Sequence, residues 1–331
     1  MTGIKILGSG KYVPELTVTN EDFTKFIETS DEWISTRTGI RTRHMVSGEP
    51  TWYLACEASK KAIENAGIRG EDIGLIILTS ITSDFYTPSC ACMIQREIGA
   101  IGSMAIDINC ACSGFAYGFD MAKRYLETDD SLKYALVVSA ESLSKVTDFS
   151  DRATCVLFGD GAAAVVLEKS EDTLYTSYLG ADGNGAKFLM AKNSRKLSPF
   201  VENEKVIEDG MPEGNDGYIF QDGKEVYKFA TKILPHAVNE ACKKIDFDMS
   251  QIDVIVPHQA NVRIIETAAK NLGLPMEKFY LNLHKYGNTS SASIPLAFCE
   301  AVEEGKIKRG DKVCFVGFGA GLTYACAIFE Y

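Results

Sequence analysis

Apolar positions along the chain follow two rhythms. Short unbroken runs rich in Val, Ile and Leu, at residues 75–78, 135–138, 163–167, 254–256 and 313–316, predict strands buried on both faces. Between them, stretches such as ACEASKKAIENAGI (55–68) and FATKILPHAVNEACKKI (229–245) carry apolar residues at helical spacing. Regular alternation of the two predicts mainly parallel sheets with covering helices. The opening MTGIKILGSGKYVP reads as a strand and a turn.

The pattern also repeats. Residues 53–80 read helix, acidic turn, strand, and residues 229–258 read helix, polar turn, strand. Each copy continues to a small-residue helix start, at 112–114 and 288–292, and to a strand ending in a polar or Gly-rich loop, at 138–141 and 316–321. We expect an internal duplication of roughly 150 residues per copy, with halves at 1–172 and 173–331. An irregular excursion, rich in Gly, Asn, Asp, Glu and Lys, is expected near 181–217. Ligands of such folds gather at the carboxyl ends of strands. That places the loops from residues 80, 109, 141, 257, 285 and 317 near one face.

Composition narrows the function. At 331 residues and 46% hydrophobic, the chain can bury a large core. It has no apolar run long enough to span a membrane, and no secretory signal pattern, so a cytoplasmic location is expected. Ten cysteines in a reducing compartment are not expected to pair. A net charge of −11 argues against nucleic acid as a partner.

Four of the cysteines cluster as Cys90-Ala-Cys92 and Cys110-Ala-Cys112. Their count suits a metal, but one intervening residue is too few for a zinc turn, so no metal site is expected. Most of the ten read as small buried hydrophobes. Cys112 differs, because it lies in NCACSGFAYG (109–118), between a predicted strand and an amphipathic helix. A thiol at a helix N-terminus is expected to have a lowered pKa, and nearby backbone N–H groups can hold an oxyanion. Cys110 is expected to pack inward. Of the four histidines, His258 alone follows a buried strand directly, in VPHQAN. Asn288, in YGNTSSAS, opens the helix equivalent to that of Cys112; it suits an N-cap, a polar site group, or both.

Together these residues resemble a known family. Cys112 in CACSGF, His258 in VPHQANVRII and Asn288 in YGNTSSASIP are similar to the Cys-His-Asn set of β-ketoacyl-acyl carrier protein synthase III. Similar segments run through the chain: DEWISTRTGIRTRH (31–44), SDRATCVLFGDGAAAVVLE (150–168), DGKEVYKFA (222–230) and GFGAGLTYA (317–325). The resemblance implies a thiolase-like fold, two duplicated α/β halves in a five-layered αβαβα core. It implies an acyltransferase that condenses an acyl-CoA primer with malonyl-acyl carrier protein, working as a homodimer without metal or organic cofactor. Cys112 would carry the acyl group, with the backbone N–H groups of Cys112 and Ala320 as oxyanion donors. His258 and Asn288 would donate to the malonyl thioester oxygen.

For CoA, the resemblance points to Trp33 and Arg152 around the adenine, Arg37 near the phosphates, and Gly223 and Asn261 along the pantetheine. Trp33 equally suits a core aromatic. Lys228 and Arg263 resemble carrier-docking positions, and each is otherwise an ordinary solvated helix charge. Thr87 stands where many acetyl-selective members have Phe, on a loop that in the family reaches the partner's acyl pocket. A smaller residue there leaves room for a longer primer. Competing readings are a type III polyketide synthase, another primer-condensing enzyme on this template, a Cys-His-Asn hydrolase, and a noncatalytic acyl-binding homologue.

Overall fold

The computed structural model describes residues 2–171, 173–192, 200, 210–212 and 217–331. Nine strands build its two main sheets: β1 (Thr2–Tyr12), β2 (Ile73–Thr79), β3 (Met104–Ile108), β4 (Tyr134–Glu141), β5 (Gly161–Glu171), β6 (Tyr175–Ala181), β7 (Val254–Pro257), β8 (Lys312–Gly319) and β9 (Thr323–Glu330). The helices that position the site are α1 (Asp31–Thr38), α2 (Thr51–Ala66), α3 (Cys90–Ile98), α4 (Gly114–Thr128), α5 (Gly223–Lys243), α6 (Val262–Leu272) and α7 (Ser293–Glu303). All five predicted strands are present. Among the described residues no helix is long and apolar enough to cross a membrane.

The sheets are mixed, which corrects the expectation of mainly parallel pairing. The first runs β1–β5–β4–β2–β3, with the first two pairs antiparallel and the last two parallel. The second runs β6–β9–β8–β7, two antiparallel pairs and then a parallel one. Parallel pairing needs a long crossover, usually a helix. Only residues 320–322 join β8 to β9, and the longest helix between β4 and β5 is the four-residue Arg152–Cys155. Those links turn the chain back on itself.

Both sheets use the same order and the same directions. β1, β5, β4 and β2 match β6, β9, β8 and β7, and a parallel bridge between Ile255 and Phe279 stands where β3 would be. Side chains alternate between the faces of each strand. Leu75 and Ile77 of β2 face a central layer made by α4 and α7, as do Val313 and Phe315 of β8. Ile76 and Leu78 face α2 and α3 on one outside, and Cys314 and Val316 face α5 and α6 on the other. Helix, sheet, helix, sheet, helix gives five layers. Gly8 and Gly10 let α2 lie directly on β1: a Cβ on Gly8 would sit 2.3 Å from the Ala66 nitrogen.

Of the excursion, residues 193–199, 201–209 and 213–216 lie outside the described residues. Its described ends meet as an antiparallel ribbon of Leu189–Ala191 against Ile219–Gln221.

Candidate active site

The turn that carries Cys112 is built twice. After β3 ends, Asn109 Oδ1 accepts the Ala111 N–H at 3.2 Å, Ala111 takes φ +47°, and a 3₁₀ turn over Ala111–Ser113 leads into α4. In the second half Asn288 Oδ1 accepts the Ser290 N–H at 2.9 Å, Ser290 takes φ +48°, and a 3₁₀ turn over Ser290–Ala292 leads into α7. NCACSG (109–114) and NTSSAS (288–293) are thus equivalent, and Ser291 is the counterpart of Cys112. Asn288 does act as a turn-forming acceptor. With its oxygen held this way, its amide nitrogen is the end left to donate.

The two turns border a single cavity of about 1190 Å³, lined by Cys112, His258 and Asn288 together. His258 follows β7, and its N–H donates to Val316 O at 2.8 Å. The buried imidazole packs edge-on against Phe318 and places Nδ1 2.7 Å from Ser293 Oγ. Ser293 Oγ also accepts the Gln259 N–H at 3.3 Å. When the Ser293 hydroxyl donates to Nδ1, the proton of the neutral ring sits on Nε2. Burial pushes the His258 pKa down to about 3, so the ring is neutral at any working pH. The other histidines lie elsewhere: His44 bonds Pro14 O, His236 sits on α5 beside Tyr178, and His284 lies in the short helix Leu283–Tyr286.

Cys112 departs from its expected chemistry. Its thiol is pushed up to about 12, chiefly by burial and further by the negative charge of Glu141. The nearby Ser290 hydroxyl and the Cys112 backbone N–H act the other way and are outweighed. Loss of solvent decides the thiol's acidity here, over the helix N-terminus. Cys110 also differs from expectation: it is half-buried and lines the cavity beside Cys112, while its carbonyl accepts from the Ser113 and Thr323 hydroxyls. Cys56, Cys155, Cys242, Cys299, Cys314 and Cys326 are buried, as read.

The loop after β8 closes the site. A Cβ on Gly319 would sit 2.5 Å from the Cys112 nitrogen, so this loop lies against the Cys112 amide, and Ala320 lines the cavity. Trp33 is half-buried on α1 and lines the mouth with Arg37. The guanidinium carbons of Arg37 and Arg152 lie 4.6 and 4.8 Å from its ring centre. Gly223, the first residue of α5, and Asn261, which caps α6, line the same cavity. Asn261 Nδ2 donates to Arg37 O at 3.0 Å, tying α6 to α1. Lys228 and Arg263 are exposed on α5 and α6; Lys228 pairs with Glu225, and Arg263 donates to Thr36 O. Thr87 is exposed in the loop before α3 and does not line this chain's cavity.

The chain is similar to known proteins over its whole length. Residues 106–196 match the family described as 3-oxoacyl-[acyl-carrier-protein (ACP)] synthase III, and residues 242–331 match its C-terminal part. The chain is 45% identical to the β-ketoacyl-[acyl-carrier-protein] synthase III of Clostridium acetobutylicum, over 100% of this chain and 99% of that one. The chain belongs to the β-ketoacyl-acyl carrier protein synthase III family. It is therefore a condensing acyltransferase of thiolase-like fold. The synthase III of Aquifex aeolicus superposes with a TM-score of 0.90 at 40% identity, covering 99% of this chain and 100% of that chain. The priming β-ketosynthase of the R1128 polyketide pathway gives 0.89 at 32%, covering 99% and 96%.

Three residues at the site went unread in the sequence. Ser290 and Ser293 lie inside a segment quoted for Asn288 alone, and their spacing from Asn288 was the available signal. Glu141 closes a buried strand, and an acidic residue ending an apolar run was the signal there.

Proposed function

We propose that this chain opens fatty acid synthesis by condensing an acyl-CoA primer with malonyl-acyl carrier protein, through a thioester on Cys112. The observation that carries this reading is that a thiol, a neutral imidazole and a primary amide converge on one cavity from both halves of the chain.

In the first stage the Cys112 sulfur bonds to the acyl carbon and CoA leaves as its thiolate. Backbone N–H groups of Cys112 and Ala320 stabilise the oxyanion between. In the second stage the bond from the malonyl carboxylate to its α-carbon breaks, carbon dioxide leaves, and the electron pair becomes an enolate. His258 Nε2–H and Asn288 Nδ2–H donate to the thioester oxygen as charge grows on it. Both groups are neutral, so they can donate without competing for the proton. The enolate carbon then attacks the acyl thioester, and Cys112 leaves with the former thioester electrons. CoA acts as carrier and leaving group, and no resident metal or cofactor enters a step.

Around this centre Trp33 and Arg152 hold the adenine of CoA, Arg37 its phosphates, and Gly223 and Asn261 its pantetheine arm. Arg and Trp both stack well on a π face. Lys228 and Arg263 would attract an acidic carrier protein. Two copies associate as a homodimer, with Thr87 of each reaching the other's acyl pocket, and the halves divide near residue 172. A second reading, a priming synthase of polyketide assembly, is favoured by the likeness to the R1128 enzyme.

Turnover of acetyl-, butyryl- and octanoyl-CoA with malonyl-acyl carrier protein tests the proposal. We expect one β-ketoacyl product per carbon dioxide released, with primers beyond acetyl accepted. No product with any primer would contradict the reaction, and strict acetyl preference would contradict the role given to Thr87.

A further inference from the structure

Acylation and the final attack both pass through an oxyanion on the acyl carbon, and two backbone N–H groups must meet it at one point. They sit on different segments, Cys112 on the turn before α4 and Ala320 on the loop after β8. A displacement of about 1 Å at a reacting centre can cost about a hundredfold in rate. The loop must therefore be held to the turn.

Leu322 exchanges both backbone hydrogen bonds with Asp182, each 2.8 Å, which ties the loop to the end of β6. Toward the turn, two hydroxyls make the connection. Ser113 Oγ stands 2.8 Å from Cys110 O and 2.8 Å from Thr323 Oγ1. Thr323 Oγ1 stands 3.0 Å from Cys110 O and 3.1 Å from Ala320 O, which also accepts the Thr323 N–H. Two hydroxyl protons are thus shared among the Cys110 and Ala320 carbonyls and the Thr323 oxygen. Among the described residues no other side-chain hydrogen bond joins this loop to the turn.

The duplicated turn separates the Ser113 hydroxyl from the making of the turn itself. NTSSAS (288–293) folds into the same turn with Ala292 where NCACSG (109–114) has Ser113. The turn therefore forms without a hydroxyl at this position. Only the copy that carries the nucleophile has one, and there it reaches Thr323 in the opposite half of the chain. Ser113 is fully buried, while Thr323 is half-buried and lines the cavity with Cys112 and Ala320.

We propose that Thr323, with Ser113, is a positioning residue for the oxyanion site. The paired hydroxyls clamp the Ala320 loop to the Cys112 turn, so that both N–H groups reach the same oxygen. The clamp acts through the backbone, and no bond to substrate is made or broken at either hydroxyl. Enolate formation depends on His258 and Asn288 at a different oxygen, that of the malonyl thioester. Loss of the clamp therefore slows acyl transfer and spares decarboxylation.

This inference rests on acylation of Cys112 with Ala320 as a donor, and its test separates the two. Acylation of the full-length protein by acetyl-, butyryl- and octanoyl-CoA is followed by rapid-quench intact mass. Carbon dioxide release from malonyl-acyl carrier protein without primer, the enolate being protonated by water, is measured beside it. In Thr323→Val acylation should slow about tenfold or more, while primer-free decarboxylation falls less than about twofold. Thr323→Ser, which restores the hydroxyl, should bring acylation back to within about threefold of the wild type. Ser113→Ala should slow acylation about threefold, and the double variant should be no slower than Thr323→Val alone. Should Thr323→Val fail to fold, Ser113→Ala carries the test, since Ala292 shows that the turn accepts alanine. Unslowed acylation in Thr323→Val or in Ser113→Ala would overturn the clamp. So would an equal loss of decarboxylation, a Thr323→Ser as slow as Thr323→Val, or losses that multiply in the double variant. Each of these leaves the acyl-Cys112 reading intact. Absence of any adduct on the wild type would overturn that reading as well.

Discussion

At the residue scale the site depends on keeping His258 neutral and turned the right way. Ser293 does this through Nδ1, at 2.7 Å. Ser293→Ala leaves that nitrogen buried without its partner, at a cost of about 1–3 kcal/mol, and frees the ring to take the wrong tautomer. We expect kcat for condensation to fall about tenfold or more while acylation persists; equal losses in both stages would contradict this. The depressed pKa also links to stability. A His258 pKa lowered from 6.5 to about 3 means the folded form resists protonation that the unfolded chain accepts below 6.5. Its contribution is present above 6.5 and lost as pH falls from there toward about 3. Urea unfolding between pH 7.5 and 4.5 should therefore be less steeply pH-dependent in His258→Gln than in the wild type. That Cys112, His258 and Asn288 would line one cavity was legible because each sits in a motif beside a strand end or helix start. The acidity of Cys112 was not, because it depends on burial by segments distant in sequence and on the charge of Glu141.

At the element scale, the loop after β8 must lie against the turn that carries Cys112. Gly319 makes this possible, since its Cβ would meet the Cys112 nitrogen at 2.5 Å. Gly319→Ala should displace one of the two loops, cost about 1–3 kcal/mol as overpacking does, and slow acylation more than it lowers the melting temperature. Rapid-quench acylation beside calorimetry checks this, and an unaltered acylation rate would contradict it. Strands and helices were legible from periodicity alone. Strand direction was not, because it is set by connection length: the glycine-rich stretch between β8 and β9 is only three residues long and makes a hairpin. The equivalence of NCACSG and NTSSAS stood in the sequence. It became recognisable as residue-for-residue through the shared Asn-capped turn.

At the scale of the whole molecule, β3 is an edge strand, and exposed edges invite pairing. Exposed Met104 begins it, and exposed Ile101 lies three residues earlier. We expect a dimer in sedimentation velocity, and dissociation on Met104→Asp together with Ile101→Asp; a monomeric wild type would contradict the dimer. At the cavity mouth, Trp33→Ala should raise KM for acyl-CoA about tenfold with little change in kcat, because stacking on CoA is lost equally from ground and transition states. In the proposed reaction Cys112 carries the acyl group while His258 and Asn288 serve only the second stage. Intact-protein mass spectrometry after incubation with acyl-CoA tests it most directly. One acyl adduct is expected in the wild type, in His258→Ala and in Asn288→Ala, and none in Cys112→Ala. An adduct that persists in Cys112→Ala, or fails to form on the wild type with any primer, would contradict it.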